Sequence, residues 1–209
     1  MSPDPILEYM TAAPVIAVVT ISDPAKAAPL ARALVAGGVP SVEITLRTPA
    51  ALEAIAQAAT VPGALVGAGT VLSERDLAAA ADAGAKFAVS PGATPSLLDA
   101  GRRATIPLLP GVASASELMM GLEAGYRAFK LFPAEAVGGV ALLRGFAGPF
   151  PQARFCPTGG VSPKNARDYL ALPNVVCVGG SWLAPEALVA AGDWAAIEAL
   201  AREAAALRG

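Results

Sequence analysis

Histidine is absent from this 209-residue sequence. Histidine is the commonest general base near neutral pH and the commonest metal ligand. Its absence restricts acid–base chemistry to carboxylates, lysine, tyrosine and cysteine, and we expect no bound metal.

Charge of either sign is also scarce. The chain carries 15 Lys and Arg against 17 Asp and Glu, which gives a net charge of −2, and the arginines are scattered along the sequence. A nucleic-acid-binding protein needs a basic patch that neutralises phosphates. We therefore expect a small-molecule ligand and no nucleic-acid partner.

Long apolar runs and export signals are missing too. No apolar run approaches the roughly 18 residues of a membrane-spanning helix. The first basic residue is Lys26, so the basic segment of a signal peptide is absent. Cys156 and Cys177 lie in apolar, strand-like runs, where a buried reduced thiol is the ordinary state. These features predict a cytoplasmic protein with no membrane segment and no disulfide.

What remains is an aliphatic chain: apolar residues make up 55% of it and aromatics only 5%, which is typical of parallel strands covered by helices. Eight short apolar runs predict buried strands: Val15–Ile21, Ser41–Leu46, Ala64–Ala68, Lys86–Val89, Ile106–Leu109, Ala128–Phe132, Ala153–Pro157 and Val175–Val178. Strands and helices alternate about every 20 to 25 residues. The sequence therefore predicts an α/β fold, a single-domain (β/α)8 TIM barrel over residues 1–209 with a short helix at Ile6–Met10. A doubly wound open sheet is the alternative, although eight strands exceed its usual size.

Helix starts are marked by polar residues, several of them followed by proline, an arrangement that caps a first turn. The candidates are Asp23-Pro24, Thr48-Pro49, Ser73, Thr94-Pro95, Ser114 and Ser162-Pro163. In a TIM barrel, functional groups lie at the carboxyl ends of the strands and in the loops that follow them. Candidate residues are therefore sought there.

The second predicted strand is amphipathic in an unusual way. A period of two places Glu43, Thr45 and Arg47 on one face and Val42, Ile44 and Leu46 on the other. The apolar face must meet the helices, so an acid, a hydroxyl and a guanidinium point into the barrel, where unpaired charge is costly. The alternative is a purely structural ion pair between Glu43 and Arg47.

Lys130 stands in the middle of an apolar strand, whereas the other lysines lie at helix or strand starts. A desolvated lysine favours the neutral amine, which is a nucleophile toward carbonyl groups. A lysine that is ion-paired or extends its head to solvent is the alternative, because the strand alone does not reveal its inward face.

Paired glycines follow the last two predicted strands, at Gly159-Gly160 and Gly179-Gly180-Ser181. TIM barrels commonly hold a phosphate there, because glycine lets backbone N–H groups approach an anion. Thr70, after the third strand, adds a hydroxyl at the same carboxyl end of the predicted barrel.

The segments V-E-I-T-L-R-T, V-G-A-G-T-V-L, A-V-S-P-G, I-P-L-L-P-G, F-K-L-F-P-A-E, F-C-P-T-G-G-V and V-G-G-S-W together resemble the 2-keto-3-deoxy-6-phosphogluconate (KDPG) aldolases, in order from about Pro14 to Trp182. The resemblance implies a class I, metal-independent aldolase without a cofactor, commonly a homotrimer. Such an enzyme splits the phosphorylated keto acid into pyruvate and glyceraldehyde 3-phosphate. It also implies activity on 4-hydroxy-2-oxoglutarate (KHG).

The resemblance further implies roles for individual residues. Lys130 matches the Schiff-base lysine and Glu43 the acid–base glutamate. The remaining matches are Arg47 and Thr70 for the substrate carboxylate, Phe132 beside the lysine, Pro91 near the substrate, Thr158 in the pocket, and Gly159, Gly160, Gly180 and Ser181 at the phosphate end. Galactonate-specific relatives carry an arginine near the end of strand one and an aliphatic residue in place of Thr158, so the gluconate-type substrate is favoured.

Two other functions stay open. A phosphate-binding barrel that isomerises or epimerises its substrate would use Glu43 and the glycine loops without a covalent intermediate. A non-catalytic barrel that only binds a sugar phosphate would have little use for an inward Glu, Arg and Lys together.

Overall fold

The computed structural model describes residues 4–208. Its strands are β1 Val15–Val19, β2 Ser41–Thr45, β3 Leu65–Gly69, β4 Phe87–Val89, β5 Leu108–Leu109, β6 Gly111–Val112, β7 Ala128–Leu131, β8 Arg154–Pro157 and β9 Val178–Gly180. Its α-helices are α1 Leu7–Thr11, α2 Ala27–Ala36, α3 Ala51–Ala59, α4 Glu74–Asp82, α5 Pro95–Arg103, α6 Ala115–Glu123, α7 Gly139–Ala147, α8 Ala166–Leu170, α9 Glu186–Ala191 and α10 Trp194–Ala205. Short 3-10 helices lie at Pro24–Lys26, Glu135–Val137 and Ala206–Arg208.

All strand pairs are parallel, and they form two sheets. One sheet has the order β5-β4-β3-β2-β1-β9 and the other β6-β7-β8. The division falls at Pro110, between β5 and β6, where proline supplies no N–H for a ladder. Isolated parallel bridges, Phe155 to Val175 and Thr158 to Gly179, connect the β8 region with the β9 region. The predicted parallel α/β fold is confirmed, whereas the strands form two sheets rather than one sheet of eight.

Every predicted strand run overlaps a strand of the structure, and most boundaries differ by one or two residues. Two differences are larger. Between Val175 and Cys177 the chain makes only one isolated bridge, so the last strand begins at Val178. The pair Gly111–Val112 was not predicted, because glycine beside a proline is an unfavourable strand signal.

The predicted caps at Asp23, Ser73, Thr94 and Ser114 are confirmed, because each side chain accepts a hydrogen bond from a backbone N–H of the following turn. The predictions for Thr48 and Ser162 are wrong. The Thr48 hydroxyl donates to the carbonyl of Ile21 instead, at 2.5 Å, and α3 begins only at Ala51. Ser162 donates its N–H to Asn165, the residue that precedes α8.

Helix α1 covers the amino ends of the strands, as its predicted position suggests. Tyr9 accepts a hydrogen bond from the Ser41 hydroxyl at 2.7 Å, and its ring stacks on Phe87, so α1 contacts the first residues of β2 and β4. Ile6 and Met10 join an inner apolar cluster that also contains the two buried free cysteines. The opposite, carboxyl ends of the strands carry the candidate site.

Within residues 4–208, no helix combines the length and apolar character that a bilayer-spanning segment needs.

Two helical glycines allow the packing of α6 on β7 to be tested. A Cβ on Gly121 in α6 would lie 2.4 Å from the ring of Phe129, whereas a Cβ on Gly145 in α7 would meet nothing within 4 Å. Alanine raises helix propensity equally at both positions, by about 1 kcal/mol. We expect Gly145→Ala to increase the free energy of unfolding and Gly121→Ala to lower it by about 1–3 kcal/mol. Urea unfolding of both variants measures the difference, and equal stabilisation would contradict this packing.

Candidate active site

The polar face of β2 lines the interior, as predicted. Glu43 and Thr45 are buried polar residues, and the Thr45 hydroxyl shares a 2.8 Å hydrogen bond with that of Thr20. Val42 and Ile44, on the other face, belong to the main apolar core beneath the helices. The alternation of β2 therefore separates the core from the site.

Lys130 forms a buried ion pair with Glu43. Its Nζ lies 3.1 Å from Glu43 Oε1 and 3.5 Å from Oε2, and the two side chains are only 6% and 4% exposed. Phe129 and Leu131 point to the outer core, so Lys130 faces inward. The structural alternative from the sequence had Glu43 paired with Arg47, but within residues 4–208 Arg47 forms no ion pair.

An aromatic ring and a strained threonine complete the surroundings of this pair. Lys130 Nζ lies 5.2 Å from the ring centroid of Phe132, within the range of a cation–π contact. Thr70 has φ of +59°, a left-handed conformation that costs a β-branched residue about 1–3 kcal/mol. Such strain is commonly found at functional sites, and Thr70 faces the same cavity as Lys130.

Two glycines make room for functional side chains. A Cβ on Gly69 would lie 2.2 Å from Glu43 Oε1, and a Cβ on Gly179 would lie 2.1 Å from Thr158 Oγ1. Any larger residue at either position would therefore displace the carboxylate or the hydroxyl.

The candidate residues surround one cavity of about 320 Å³ at the carboxyl ends of the strands. The structure brings together all of the predicted site residues except one: Glu43, Arg47, Thr70, Pro91, Lys130, Phe132, Thr158, Gly159, Gly160 and Ser181. The exception is Gly180, which is buried in β9 and paired with Ala17, while its neighbour Gly179 lines the cavity. The sequence did not single out Val18 or Val161, although the period of β1 was an available signal for Val18, and Gly179 entered only as a member of the glycine pair with Gly180.

Backbone N–H groups are free at one end of this cavity. Gly159 and Gly160 have φ of +98° and +80°. The carbonyls of Thr158, Gly159 and Gly160 accept hydrogen bonds from Ala134 N–H at 2.8 Å, Glu135 N–H at 3.1 Å and the Asn165 amide at 3.1 Å. No partner within residues 4–208 is found for the N–H groups of Gly160 and Val161, whereas the N–H of Gly159 belongs to the bridge between Thr158 and Gly179. Successive free N–H groups of this kind form a concavity that suits an anion.

A second cavity, of about 570 Å³, adjoins the first and shares Val18, Arg47 and Ser181 with it. Although it is larger, it does not contain Lys130 or Glu43. The Lys130–Glu43 ion pair therefore lies in the smaller cavity, with Arg47 and Ser181 on the boundary between the two.

The profile of the family described as "Aldolase: KDPG and KHG aldolase" matches residues 6–200. The chain belongs to this family. It is 56% identical over 196 residues to the "KHG/KDPG aldolase" of Escherichia coli K12, with 93% of this chain and 92% of the relative covered. The family resemblance suggested by the sequence motifs is thereby confirmed.

Solved structures agree with this membership. The KDPG aldolase of Legionella pneumophila, crystallised with pyruvate captured at low pH as a covalent carbinolamine intermediate, superposes with a TM-score of 0.94 at 48% identity, covering 99% of this chain and 100% of that one. The structure described as native KDPGal is more distant, with a TM-score of 0.76, 29% identity and 91% and 95% of the two chains covered. A cage designed by fusing symmetric oligomeric domains has a TM-score of 0.74 at 28% identity, covering 92% of this chain and 73% of that one.

The contact of Gly69 with Glu43 yields a test of the ion pair that removes no functional group. We expect Gly69→Ala to push the carboxylate away from Lys130 and to lower the aldolase activity of this family member by about 10²-fold or more, because a shift near 1 Å in a reacting group has that effect. Gly148→Ala is the control, since a Cβ there meets nothing within 4 Å. Cleavage rates of both purified variants give the comparison. Full activity of Gly69→Ala would show that the carboxylate position is unimportant.

Proposed function

We propose that this aldolase cleaves KDPG between C3 and C4 to pyruvate and glyceraldehyde 3-phosphate, through a Schiff base on Lys130. The observation that carries the proposal is the buried contact of Lys130 Nζ with Glu43, 3.1 Å apart, in the cavity at the carboxyl ends of the strands. A lysine amine is the nucleophile of class I aldol cleavage, and the carboxylate beside it is the only acidic group that lines the cavity within residues 4–208. Covalent capture of pyruvate in the Legionella relative supports the same chemistry here.

The first half of the reaction forms the covalent intermediate. Glu43 takes a proton from the Lys130 ammonium, and the neutral amine attacks the C2 ketone to give a carbinolamine. Glu43 returns the proton to the carbinolamine hydroxyl, which leaves as water, so that Glu43 is a carboxylate again and an iminium remains, whose positive charge withdraws electrons from C3. The deep burial of Lys130 and Glu43 keeps bulk water from the intermediate.

The second half breaks the carbon–carbon bond. Glu43 accepts the proton of the C4 hydroxyl, the C3–C4 electron pair moves to form an enamine, and glyceraldehyde 3-phosphate departs. The same carboxyl group returns the proton to C3 of the enamine. Water then hydrolyses the iminium, releasing pyruvate and the free amine. One carboxylate serves each proton transfer, which suits a chain without histidine.

The remaining cavity residues bind the two ends of the substrate. The Arg47 guanidinium and the Thr70 hydroxyl hold the C1 carboxylate and fix the ketone against Lys130. The free N–H groups of the Gly159-Gly160 loop, together with Ser181, bind the phosphate. Pro91 and Phe132 form the apolar wall, and Gly180 keeps a predicted role at the phosphate end although it does not line the cavity.

The gluconate epimer is the proposed substrate, with KHG as a second one. Thr158 Oγ1 lies in the cavity 3.4 Å from the carbonyl of Cys156, a long contact that leaves the hydroxyl available to a substrate hydroxyl. Identity is 56% to the E. coli KHG/KDPG enzyme but 29% to the KDPGal structure, which favours gluconate over galactonate. An isomerase or a non-catalytic binding barrel is disfavoured, because neither explains a lysine buried against a carboxylate.

We also propose how the two sheets are arranged and how many subunits associate. The bridges from Phe155 to Val175 and from Thr158 to Gly179 connect the two sheets, and we propose that the sheets close into one eight-stranded barrel, a single domain over residues 1–209. We expect a homotrimer in the cytoplasm, as the exposed apolar side chains of Leu72 and Met119 are suited to contact another subunit. The mass of the native protein in solution tests the trimer.

Trapping the intermediate tests the covalent step. Borohydride added with pyruvate should reduce the iminium, inactivate the enzyme and leave a stable adduct on the peptide that contains Lys130, as peptide mass spectrometry can detect. Borohydride alone should have no effect. Lys130→Arg keeps the charge but offers no neutral amine, so it should abolish both adduct and cleavage. An adduct on Lys26, Lys86 or Lys164, or full activity of the variant, would refute the mechanism.

Replacing Glu43 by Gln separates its role in proton transfer from the role of Lys130. The amide keeps the shape and can remain near Lys130 but cannot accept a proton. We expect turnover to fall by roughly 10²- to 10⁴-fold, while slow pyruvate trapping on Lys130 survives. Steady-state cleavage and borohydride trapping measured on the same preparation give both values. Unchanged turnover would assign the proton transfers to another group.

A further inference from the structure

The Gly159-Gly160 loop is supported by residues that lie outside the cavity. Glu135, in the 3-10 helix after β7, donates its backbone N–H to the Gly159 carbonyl at 3.1 Å. Its side chain accepts a hydrogen bond from the hydroxyl of Tyr169 in α8. The Gly159-Gly160 loop is thus supported by a contact between two elements. One is the 3-10 helix that follows β7, and the other is α8, which follows the loop.

We propose that Glu135, held by Tyr169, is a positioning residue for the phosphate end of the site. Together the two residues fix the position of the Gly159-Gly160 loop relative to the cavity and the direction of the free N–H groups of the loop. The proposal rests on the proposed function, since it concerns how the same cavity recognises a phosphorylated substrate. Neither Glu135 nor Tyr169 lines the cavity, so both act through the loop.

Close packing makes the loop position depend on the Glu135 side chain. A Cβ on Gly160 would lie 2.5 Å from Glu135 Cγ, so the stem of Glu135 is packed directly against the glycine backbone. A Cβ on Gly139 would lie 2.7 Å from the Tyr169 hydroxyl and 3.2 Å from Glu135 Oε1. Because Gly160 and Gly139 have no side chains, their backbone segments can approach Glu135 and Tyr169 closely enough for the contact between these two residues to form.

The hydrogen bond from Tyr169 to Glu135 also keeps the negative charge of Glu135 away from the phosphate end of the cavity. An exposed carboxylate beside an anion site would repel a phosphate if it turned toward it. Tyr169 is a fully buried residue, and burial, followed by the hydrogen bond to Glu135, raises the pKa of its hydroxyl, which therefore stays protonated and able to donate. That donated hydrogen bond keeps the carboxylate directed at α8 and away from the loop N–H groups.

Tyr169→Phe is the main test, because it removes only the hydroxyl and leaves the buried ring. We expect the KM for KDPG to rise about 10-fold with kcat changed less than about 2-fold, as loss of one charge-assisted hydrogen bond predicts. Cleavage of 2-keto-3-deoxygluconate, the substrate without phosphate, should stay unchanged, as should pyruvate trapping on Lys130. Inorganic phosphate should inhibit the variant about 10-fold less tightly.

Matched variants separate positioning from general damage. Tyr126→Phe removes another buried tyrosine hydroxyl, which donates to the Leu98 carbonyl at 2.8 Å far from the loop in sequence, and should leave the preference for the phosphorylated substrate intact. Glu135→Gln keeps an acceptor for Tyr169 and should retain the preference, whereas Glu135→Ala should lose it as Tyr169→Phe does.

An unchanged ratio of kcat/KM for the phosphorylated and unphosphorylated substrates in Tyr169→Phe and Glu135→Ala would overturn the proposal, whether both values are retained or both fall equally. Failure of the proposed aldolase function can be distinguished from failure of this positioning role. In the former case the unmodified protein itself would show no pyruvate adduct on Lys130. Thermal unfolding of each variant confirms that the compared proteins are folded.

Discussion

The ion pair of Lys130 with Glu43 is the contact on which the arrangement of the site depends. An unpaired charge inside an apolar interior is very unfavourable, so each of these side chains requires the other. The two residues come from different sheets, with β2 in the six-stranded sheet and β7 in the three-stranded one. The pair therefore joins the sheets across the interior, and removing either partner would leave a buried charge that costs several kcal/mol, about 3–5 in comparable cases.

Glycine decides how closely the backbone can approach this pair and its surroundings. Gly69 leaves the space that the Glu43 carboxylate occupies, and Gly179 does the same for the Thr158 hydroxyl. Thr70, directly after Gly69, adopts a left-handed conformation that is unfavourable for its side chain. Stability and the placement of cavity side chains are thus in opposition along this strand end, since a residue that packed better at Gly69 would displace the Glu43 carboxylate.

The two ends of the cavity are built by different means. At one end, the strands β2 and β7 hold the ion pair of Glu43 with Lys130 in place. At the anion end, a loop supplies backbone N–H groups, and its carbonyls are held by Ala134, Glu135 and Asn165. A loop has no ladder to fix it, so its geometry depends on these supporting contacts. This division explains why residues outside the cavity matter at the anion end in particular.

The sequence alone determined where the strands lie and which side chains share a face, because successive side chains of a strand point to opposite faces. The pattern placed Glu43 inward, whereas only the resemblance placed Lys130 in the site. Only the tertiary structure decided that Lys130 is the partner of Glu43, since the two residues are 87 positions apart and meet only when the sheets face each other. It also decided that Gly179 rather than Gly180 lines the cavity, because paired glycines carry no apolar period that identifies a face. The break at Pro110 and the use of the Thr48 hydroxyl by Ile21 likewise depend on neighbouring strands and loops that no local pattern describes.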